Sequence, residues 1–203
     1  IVLKFGLFFF DFDLDGLLDL LTCNGHLEPD IQLVEPSQSY QQPVQLFWNT
    51  GGKRTYELVT PEFAGPDLFQ PLVGRGCAFA DIDGDGYLDV VLTANGGPAR
   101  LLKNQGGTGN HWVRLVLEGD GKRCNTSAIG AHVRLTAGGK VQHRFVTSAR
   151  GYLSQSELPL TFGLGKATKV DRIEIRWPGA PPGEVQVLDP LPAVDRVHRI
   201  KQR

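Results

Sequence analysis

Apolar residues along this chain of 203 residues recur with a period of two or in short runs, which Gly, Pro and Asn residues separate. No stretch of a dozen residues combines helical spacing of apolar positions with capping residues. The pattern therefore predicts an all-β protein. The predicted strands are Gln45–Trp48, Tyr56–Val59, Leu88–Leu92, His111–Leu117, Ala131–Thr136, Val141–Thr147 and Arg172–Trp177.

Two glycine pairs predict tight hairpin turns, at Thr50–Lys53 and at Ala137–Lys140. Glycine supplies the positive φ that such turns need. The apolar segment Ile1–Phe10 predicts a buried strand and not a secretory signal, because it runs into Asp11 without a small-residue cleavage pattern. No segment approaches the roughly 20 apolar residues of a membrane-spanning helix, so we expect no membrane span.

The pattern D-x-D-x-D-G-x-x-D occurs twice, within an internal repeat. Phe10–Gly25 aligns with Ala80–Gly96, and Leu46–Gly52 aligns with Leu101–Gly107. The spacing is longer in the first copy, which indicates a Pro-, Gln- and Ser-rich insertion within His26–Pro43 that we expect to form a surface loop. Repeats of this size are typical of propeller blades, but two are too few to close a propeller. Either earlier blades are missing or the two copies pack in another way.

The repeated loops predict two calcium sites. Four carboxylates within nine residues repel one another unless a cation lies among them, and Ca²⁺ takes about six to eight oxygen ligands. By analogy with other calcium loops, the carbonyl at position 7 adds a ligand. The proposed ligands are Asp11, Asp13, Asp15, Leu17 and Asp19 in the first loop, and Asp81, Asp83, Asp85, Tyr87 and Asp89 in the second. Because these carboxylates tie a turn, we expect the ions to be structural.

An EF-hand is the main alternative for these loops, and it requires a Glu at position 12 and a helix on each side. Position 12 is Thr22 in the first loop and Leu92 in the second, and the flanks are strand-like. The other alternative is an Asp/Gly-rich turn without an ion, which the duplication disfavours. The sequence therefore favours calcium loops of a β-protein.

Charge is distributed unevenly between the two halves of the chain. Residues 1–100 hold 14 acidic and 5 basic side chains, whereas residues 101–203 hold 8 acidic and 16 basic ones. In Arg172–Trp177 charged and apolar residues alternate, which is typical of the solvated face of a strand, so we expect no nucleic-acid partner. A Tyr beside an Arg can stack on a sugar. The candidate ligand-binding residues are His26, Arg144, Arg150 and Tyr152.

The three cysteines, Cys23, Cys77 and Cys124, lack the paired spacing of a zinc site or a disulfide framework. Cys23 and Cys77 lie in or beside apolar runs, which favours buried thiols. One disulfide with one remaining thiol is the alternative.

The repeats, GLFFFDFDLDGLLDLLTCNGH and GCAFADIDGDGYLDVVLTANGG, resemble FG-GAP or VCBS units of integrin-α-like propellers. The tail resembles the ASPIC/UnbV domain that follows such repeats in bacterial secreted proteins and in the cartilage acidic protein family. The matching tail segments are Gly109–Val113, Ala128–Val133, Gly151–Gln155, Phe162–Gly165 and Val170–Pro178.

This resemblance implies two propeller-blade-type units with calcium loops at residues 1–105 and a β-sandwich-like ASPIC/UnbV domain at residues 106–203. It also implies further blades in the parent chain and a location that is secreted, periplasmic or on the cell surface. The implied function is adhesion or recognition of a glycan or a protein, with two Ca²⁺ ions and no established reaction.

Two other functions stay open. A secreted polysaccharide lyase or hydrolase would use His26, or a loop carboxylate such as Glu28 or Glu35, as acid or base. The sequence contains neither a G-x-S-x-G elbow nor an H-E-x-x-H motif. The third hypothesis is a structural segment that caps a longer propeller.

Overall fold

Strands make up most of the regular structure in the computed structural model, which describes residues 2–52 and 55–203. The helical segments among these residues are single turns: α1 (Ile31–Val34), α2 (Pro61–Ala64) and a 3₁₀ turn (Pro66–Phe69). None of them is long enough to cross a bilayer. The strands are β1 (Lys4–Phe10), β2 (Asp19–Asn24), β3 (Gln45–Asn49), β4 (Tyr56–Leu58), β5 (Gly74–Ala80), β6 (Asp89–Ala94), β7 (Arg100–Leu102), β8 (His111–Glu118), β9 (His132–Ala137), β10 (Lys140–Phe145), β11 (Leu160–Gly165), β12 (Arg172–Arg176), β13 (Gln186–Val187) and β14 (Arg196–Lys201).

The strands form four open sheets, and over the described ranges no sheet closes on itself. The first two follow chain order as antiparallel meanders, β1-β2-β3-β4 and β5-β6-β7. The other two have the orders β10-β9-β12-β13 and β11-β8-β14, in which β14 runs parallel to β8. This arrangement confirms the all-β prediction.

The two meanders pack face to face on aromatic residues from their first strands. Alternation along β1 turns Phe8 and Phe10 inward, where they meet Phe79 of β5 at ring-centroid distances of 5.0 and 6.0 Å. All three rings are nearly buried, and each aromatic side chain in such a core removes ~150–250 Å² from water. Packing between the repeats therefore stabilises the first half of the molecule.

The last two sheets enclose a second core, to which both contribute. Leu115 of β8 and Phe162 of β11 lie on one side, and Ile173 and Ile175 of β12 lie on the other; all four are fully buried. Alternating inward residues on two facing sheets define a β-sandwich. The predicted sandwich-like terminal unit is thus present, while its predicted boundary between residues 105 and 106 stays a prediction.

The hairpin turn at Ala137–Lys140 is confirmed. Ala137 pairs with Lys140 across β9 and β10, and Gly138 and Gly139 have φ of 55° and 77°, as a two-residue turn of the primed type requires. The other predicted turn, Thr50–Lys53, lies in part outside the described residues, because Lys53 and Arg54 are not described; Ile1 is not described either.

The insertion after β2 is a surface segment anchored at its end. It contains α1, in which Leu33 and Val34 are 84% and 80% exposed. Gln42, in contrast, is buried, exchanges two backbone hydrogen bonds with Leu72, and accepts a bond from Leu3 N at 2.7 Å through its side chain. The insertion therefore projects from a fixed base.

Candidate metal centres

In each repeat the three carboxylates at positions 1, 3 and 5 of the loop converge. Oxygen atoms of these three side chains lie within 4.8 Å of one another in both loops. The first group comprises Asp11, Asp13 and Asp15, and the second comprises Asp81, Asp83 and Asp85. The carboxylates that the sequence analysis named at these positions thus lie together, and their role as calcium ligands stays a prediction.

Short hydrogen bonds from the loop backbone to its own carboxylates produce this convergence in the first loop. Asp11 Oδ2 accepts from Gly16 N at 3.0 Å, and Asp15 Oδ1 accepts from Leu17 N at 2.7 Å. Gly16 has a φ of 92°, a conformation that glycine adopts without steric cost. The chain thus turns back toward Asp11 and aims its side chains at one point.

The carboxylates at position 9 of the two loops, Asp19 and Asp89, bind backbone N–H groups. Asp19 accepts from Phe12 N at 3.1 Å and from Asn49 N at 2.8 Å, so each of its oxygens holds a backbone N–H. In the second loop Asp89 makes the equivalent bonds with Ile82 N at 3.0 Å and Asn104 N at 2.8 Å. These residues join the loop to the third strand of each sheet, and their role as metal ligands stays a prediction.

Two asparagines, Asn49 and Asn104, bind these position-9 carboxylates and also donate to backbone carbonyls. The sequence analysis did not name either of them. Asn49 Nδ2 donates to Leu18 O at 3.1 Å, whereas Asn104 Nδ2 donates to Phe12 O at 2.8 Å and so reaches from the second repeat to the first. The signal for both was present in the sequence, because Asn49 and Asn104 occupy the same position of the second repeated segment.

The first loop fits a hard divalent cation on two grounds. Its donors are all carboxylate oxygens, which Ca²⁺ prefers. Asp11 is only 2% exposed, and its Oδ1 has no hydrogen-bond partner among the described residues. A buried carboxylate oxygen without a partner is costly, and a cation at the centre of the group would remove that cost. Ligation by the carbonyls of Leu17 and Tyr87 stays a prediction.

Burial disfavours the ionised form of these carboxyl groups when no cation is bound. It raises the pKa of Asp11 well above the usual range, raises that of Asp13, and raises the pKa of Asp19 to about 7. The neighbouring loop carboxylates raise the pKa of Asp11 further, against the lowering effect of Arg144. The protein thus concentrates negative charge where it is poorly solvated, as a metal site does.

The second loop is more open and already has cationic neighbours. Asp83 is exposed and forms an ion pair with Lys103 of the following segment, and the hydrogen bond from Lys103 lowers the pKa of Asp83. Arg114 of β8 places Nη1 3.6 Å from Asp81 Oδ2. Burial still raises the pKa of Asp81, and Arg114 opposes that rise.

The first loop, residues 11–19 and called loop 1 from here on, packs directly on the terminal sandwich. Gly165 N donates to Leu14 O at 2.9 Å, and Lys140 Nζ donates to Asp15 O at 3.5 Å. A Cβ at Gly163 would lie 2.5 Å from Leu14 Cα and would collide with Asp11 Oδ2. The Phe162–Gly165 motif therefore allows the close approach of β11 to the first loop.

The second loop, residues 81–89 and called loop 2 from here on, contacts the same sandwich together with β5, through the segment that precedes β11. Cys77 N and Phe79 N donate to Ser154 Oγ and Ser156 Oγ, both at 3.1 Å, and Glu157 N donates to Phe79 O at 3.2 Å. Glu157 also pairs with the buried Arg114. Both loops thus lie at the junction between the repeats and the terminal domain.

The four candidate ligand residues fall into two groups. Both terminal nitrogens of Arg144 are engaged, by His143 O at 3.1 Å and Gln142 Oε1 at 3.0 Å, and Arg150 donates to Phe145 O at 3.1 Å. These arginines therefore have structural partners, and their role in ligand binding stays a prediction.

His26 and Tyr152 are linked through a surface stack. Tyr152, 43% exposed, packs edge-on against Phe5 with ring centroids 5.3 Å apart. Arg75 lies over the same Phe5 ring at 4.3 Å and donates to His26 O at 3.1 Å. The structure therefore brings the two candidates to one surface, through two residues that sequence reasoning missed.

The candidate acid–base residues lie in the insertion, away from the carboxylate groups of the loops. His26 Nδ1 accepts from Glu28 N at 3.0 Å, and Glu35 accepts from Ser37 N at 3.3 Å. Both glutamates are exposed. These are local turn-forming bonds, and a catalytic role for these residues stays a prediction.

The cysteines are buried, as predicted, and all three are free thiols in the described structure. Burial raises the pKa of Cys23 to about 11 and that of Cys77 to about 12. Neither thiol is therefore activated as a nucleophile or ligand at neutral pH.

Comparison with protein families assigns both halves of the chain. Residues 11–92 match the FG-GAP-like repeat, residues 73–113 match the FG-GAP repeat, and residues 121–203 match the ASPIC and UnbV domain. The chain is therefore an FG-GAP repeat protein with a C-terminal ASPIC/UnbV domain, which confirms the resemblance.

Relatives with this similarity include cartilage acidic protein 1 from three vertebrates. The Homo sapiens protein is 28% identical over 156 residues, which cover 68% of this chain and 23% of the relative. The Mus musculus protein is 30% identical over 156 residues, with 68% and 24% covered. The Xenopus tropicalis protein is 32% identical over 116 residues, with 52% and 16% covered. The chain thus spans less than a quarter of the length of these relatives.

Proposed function

We propose that the chain is a recognition module that acts outside the cytoplasm and that two structural Ca²⁺ ions stabilise. The observation that carries the calcium part is the Asp11 carboxylate, which is buried, has an Oδ1 without a hydrogen-bond partner among the described residues, and lies in a group of three carboxylates. A bound ion would supply positive charge to that group and so allow the buried carboxyls to ionise.

The position of the loops supports a structural role for the ions. Loop 1 contacts β11 through Leu14 and Gly163, and loop 2 contacts β8 through Arg114. An ion that fixes the shape of each loop would fix the surfaces on which the terminal sandwich packs. Calcium would therefore hold the repeats and the sandwich in one arrangement and leave other surfaces free to bind.

The outer face of the first sheet supports further blades as neighbours. Strand register places Phe9, Leu20, Phe47 and Leu58 opposite one another in a single row across β1 to β4. Phe9 and Leu58 are 43% and 54% exposed. A row of this kind on a sheet face is what a packed neighbouring sheet covers, so we place a preceding blade of the parent chain there.

The insertion and the surface stack are the surfaces that we assign to recognition. The insertion presents Leu33 and Val34 to solvent on α1, and exposed apolar side chains of this kind are suited to a protein partner. Tyr152, with Arg75 close by, offers a ring face and a cation, which are suited to a glycan. The relatives are named as cartilage proteins, which supports a secreted location for this chain as well.

Calorimetric titration of the metal-free protein with Ca²⁺ tests the calcium part. The wild type should bind two ions, and the double variant Asp13→Ala with Asp83→Ala should lose most of that binding, because one carboxylate is removed from each group. The matched control is Asp30→Ala with Asp67→Ala, which removes two carboxylates outside the loops and should bind as the wild type does. A wild type that takes up no calcium would refute the proposal.

A second measurement separates recognition from the enzymatic and structural alternatives. Binding to panels of matrix proteins and acidic glycans should weaken in Leu33→Ser with Val34→Ser for a protein ligand, or in Tyr152→Ala for a glycan. Turnover of an acidic polysaccharide that is lost in His26→Ala would favour the lyase or hydrolase hypothesis instead. A chain that is insoluble without preceding blades would favour the structural cap.

A further inference from the structure

The two calcium loops differ at one repeat-equivalent position. Trp48 and Lys103 each precede the asparagine that binds the position-9 carboxylate, and each points its polar end at the position-3 carboxylate. Trp48 Nε1 donates to Asp13 Oδ2 at 3.1 Å, whereas the ammonium group of Lys103 forms an ion pair with Asp83 Oδ2. The same position therefore supplies a neutral N–H to the first loop and a positive charge to the second.

The electrostatic surroundings of Lys103 extend beyond this single pair. Asp85 and Asp89 act on the ammonium group together with Asp83, and all three raise the pKa of Lys103. Arg114 adds a second cation, 3.6 Å from Asp81. The second loop thus faces two cationic side chains of the protein itself.

The first loop has no such ion pair. Among the ion pairs formed by the described residues, none involves the carboxylates Asp11, Asp13, Asp15 or Asp19. Burial raises the pKa of Asp11, and the charge of Arg144 opposes that rise, although the two residues form none of the ion pairs found among the described residues. Lys140 Nζ also lies near this loop, but it donates to the backbone Asp15 O at 3.5 Å and not to a carboxylate. The second loop therefore differs from the first in having cations paired directly with its carboxylates.

We propose that the ammonium group of Lys103 competes with Ca²⁺ at the second loop. This competition makes the second loop the weaker of two unequal calcium sites. This inference rests on the proposed calcium function. An ammonium group a few ångströms from a divalent ion opposes binding by Coulomb repulsion, even in a water-like dielectric. The Lys103 side chain is 53% exposed, so it has room to leave Asp83 when the ion enters.

Two sites of unequal affinity would differ in their calcium occupancy. Extracellular calcium modules bind their ions with dissociation constants of about 10⁻⁴ to 10⁻³ M, close to the calcium concentration around them. The first loop would stay occupied, whereas the second would fill or empty as calcium varies. Because loop 2 contacts Arg114 of β8, its occupancy would act on the junction with the terminal domain.

Calcium titration of the metal-free full chain by calorimetry tests this inference, in the wild type and in three lysine variants. The wild type should show two affinities. Lys103→Gln should tighten the weaker site by about three- to tenfold, as loss of a nearby unit charge predicts, and leave the tighter site unchanged. Lys103→Arg should keep the weak site, and Lys169→Gln, a control at an exposed lysine that pairs with Asp171 and not with a loop carboxylate, should match the wild type.

Tryptophan fluorescence assigns each affinity to a loop. Trp48 contacts Asp13 in loop 1, and Trp112 packs against Gly86 in loop 2. In Trp48→Phe the remaining signal change should follow the weaker site. Two equal sites that Lys103→Gln leaves unchanged would overturn the inference and leave the calcium function intact. A wild type that binds no calcium would overturn both.

Discussion

Buried aspartates of the first loop have two distinct physical roles. Asp11 uses one oxygen for Gly16 N, and its other oxygen has no hydrogen-bond partner in the described part of the chain, whereas Asp19 uses both oxygens for backbone N–H groups. The sequence pattern D-x-D-x-D-G-x-x-D treats these residues alike. Their surroundings separate a carboxylate with one unpaired buried oxygen, the candidate ligand, from one that anchors the loop to β3.

Replacement of Asp19 by Ala should destabilise the protein even without calcium. The change leaves Phe12 N and Asn49 N unpaired in a poorly solvated place, which costs about 1–3 kcal/mol for each buried group. Urea unfolding in EDTA measures the effect. Asp83→Ala, at an exposed carboxylate, is the control and should stay within about 0.5 kcal/mol of the wild type. Equal losses in the two variants would contradict the anchoring role.

Replacement of Gly163 by Ala should loosen the contact between loop 1 and β11. The added Cβ would lie 2.5 Å from Leu14 Cα and collide with Asp11, and such overpacking costs about 1–3 kcal/mol. Thermal unfolding should show a lower Tm. Gly97→Ala is the matched control, because the nearest atom to its added Cβ lies at 3.4 Å. An unchanged Tm in Gly163→Ala would show that loop 1 and β11 accommodate the added methyl group without loss of stability.

At the scale of elements, the sandwich strands do more than form their own core. β8 contributes Leu115 to that core and also sends Arg114 toward loop 2, where it pairs with Glu157 and donates to Thr161 Oγ1 at 2.9 Å. The side chain of Arg114 is 7% exposed. One strand therefore connects the terminal domain to the second repeat through a buried charge network.

Removing only the arginine of this network should lower the free energy of unfolding more than removing the arginine together with Glu157. Arg114→Met leaves Glu157 and Asp81 as buried carboxylates without their cation, a change that costs about 3–5 kcal/mol for a buried pair. Adding Glu157→Leu should recover part of the loss, because one unpaired charge is gone. Urea unfolding of both single variants and the double variant measures the coupling. Additive losses would indicate that the two residues act independently.

At the scale of the whole molecule, two hydrophobic cores share one charged junction. The cores lie between the repeat sheets and inside the sandwich, respectively. Both carboxylate loops lie where these units meet, and the repeat side concentrates acids there while the sandwich side offers Arg114 and Arg144. Ion binding at the junction should therefore influence the stability of the molecule as a whole.

The stability of the calcium-free protein should fall as the pH rises from about 4 to about 7. Burial raises the pKa of Asp19 from 3.8 to about 7, so over this range the folded state keeps a proton that the unfolded state has released. Full stabilisation is present below the lower value and is lost as the pH passes the upper one. Asp11 and Asp13 are shifted in the same direction.

Urea unfolding in EDTA at several pH values across this range measures the effect. Saturating calcium should remove the fall, because the ion takes the place of the protons. Asp19→Asn, whose side chain cannot ionise, should show a smaller fall in EDTA than the wild type. Stability of the EDTA-treated wild type that increases over the same range would contradict the expected sign.

Features that depend on neighbours along the chain could be predicted from the residue pattern. Period-two alternation gave the all-β class and strands such as β3 and β12, the glycine pair at 138 and 139 gave a hairpin, and the duplicated aspartates gave two convergent carboxylate groups. Each of these rests on contacts within a few residues, so the local pattern contains the information.

Contacts between distant segments became visible in the folded chain and not in the residue pattern. Parallel pairing of β14 with β8, the contact of Gly163 with loop 1, and the Lys103–Asp83 pair join positions whose sequence separation gives no periodic signal. The same separation hid the different surroundings of the two loops, which look alike as sequences. Burial and partner charges, and not the residue pattern, distinguish the buried first loop from the more open second loop, whose carboxylates pair directly with Lys103 and Arg114.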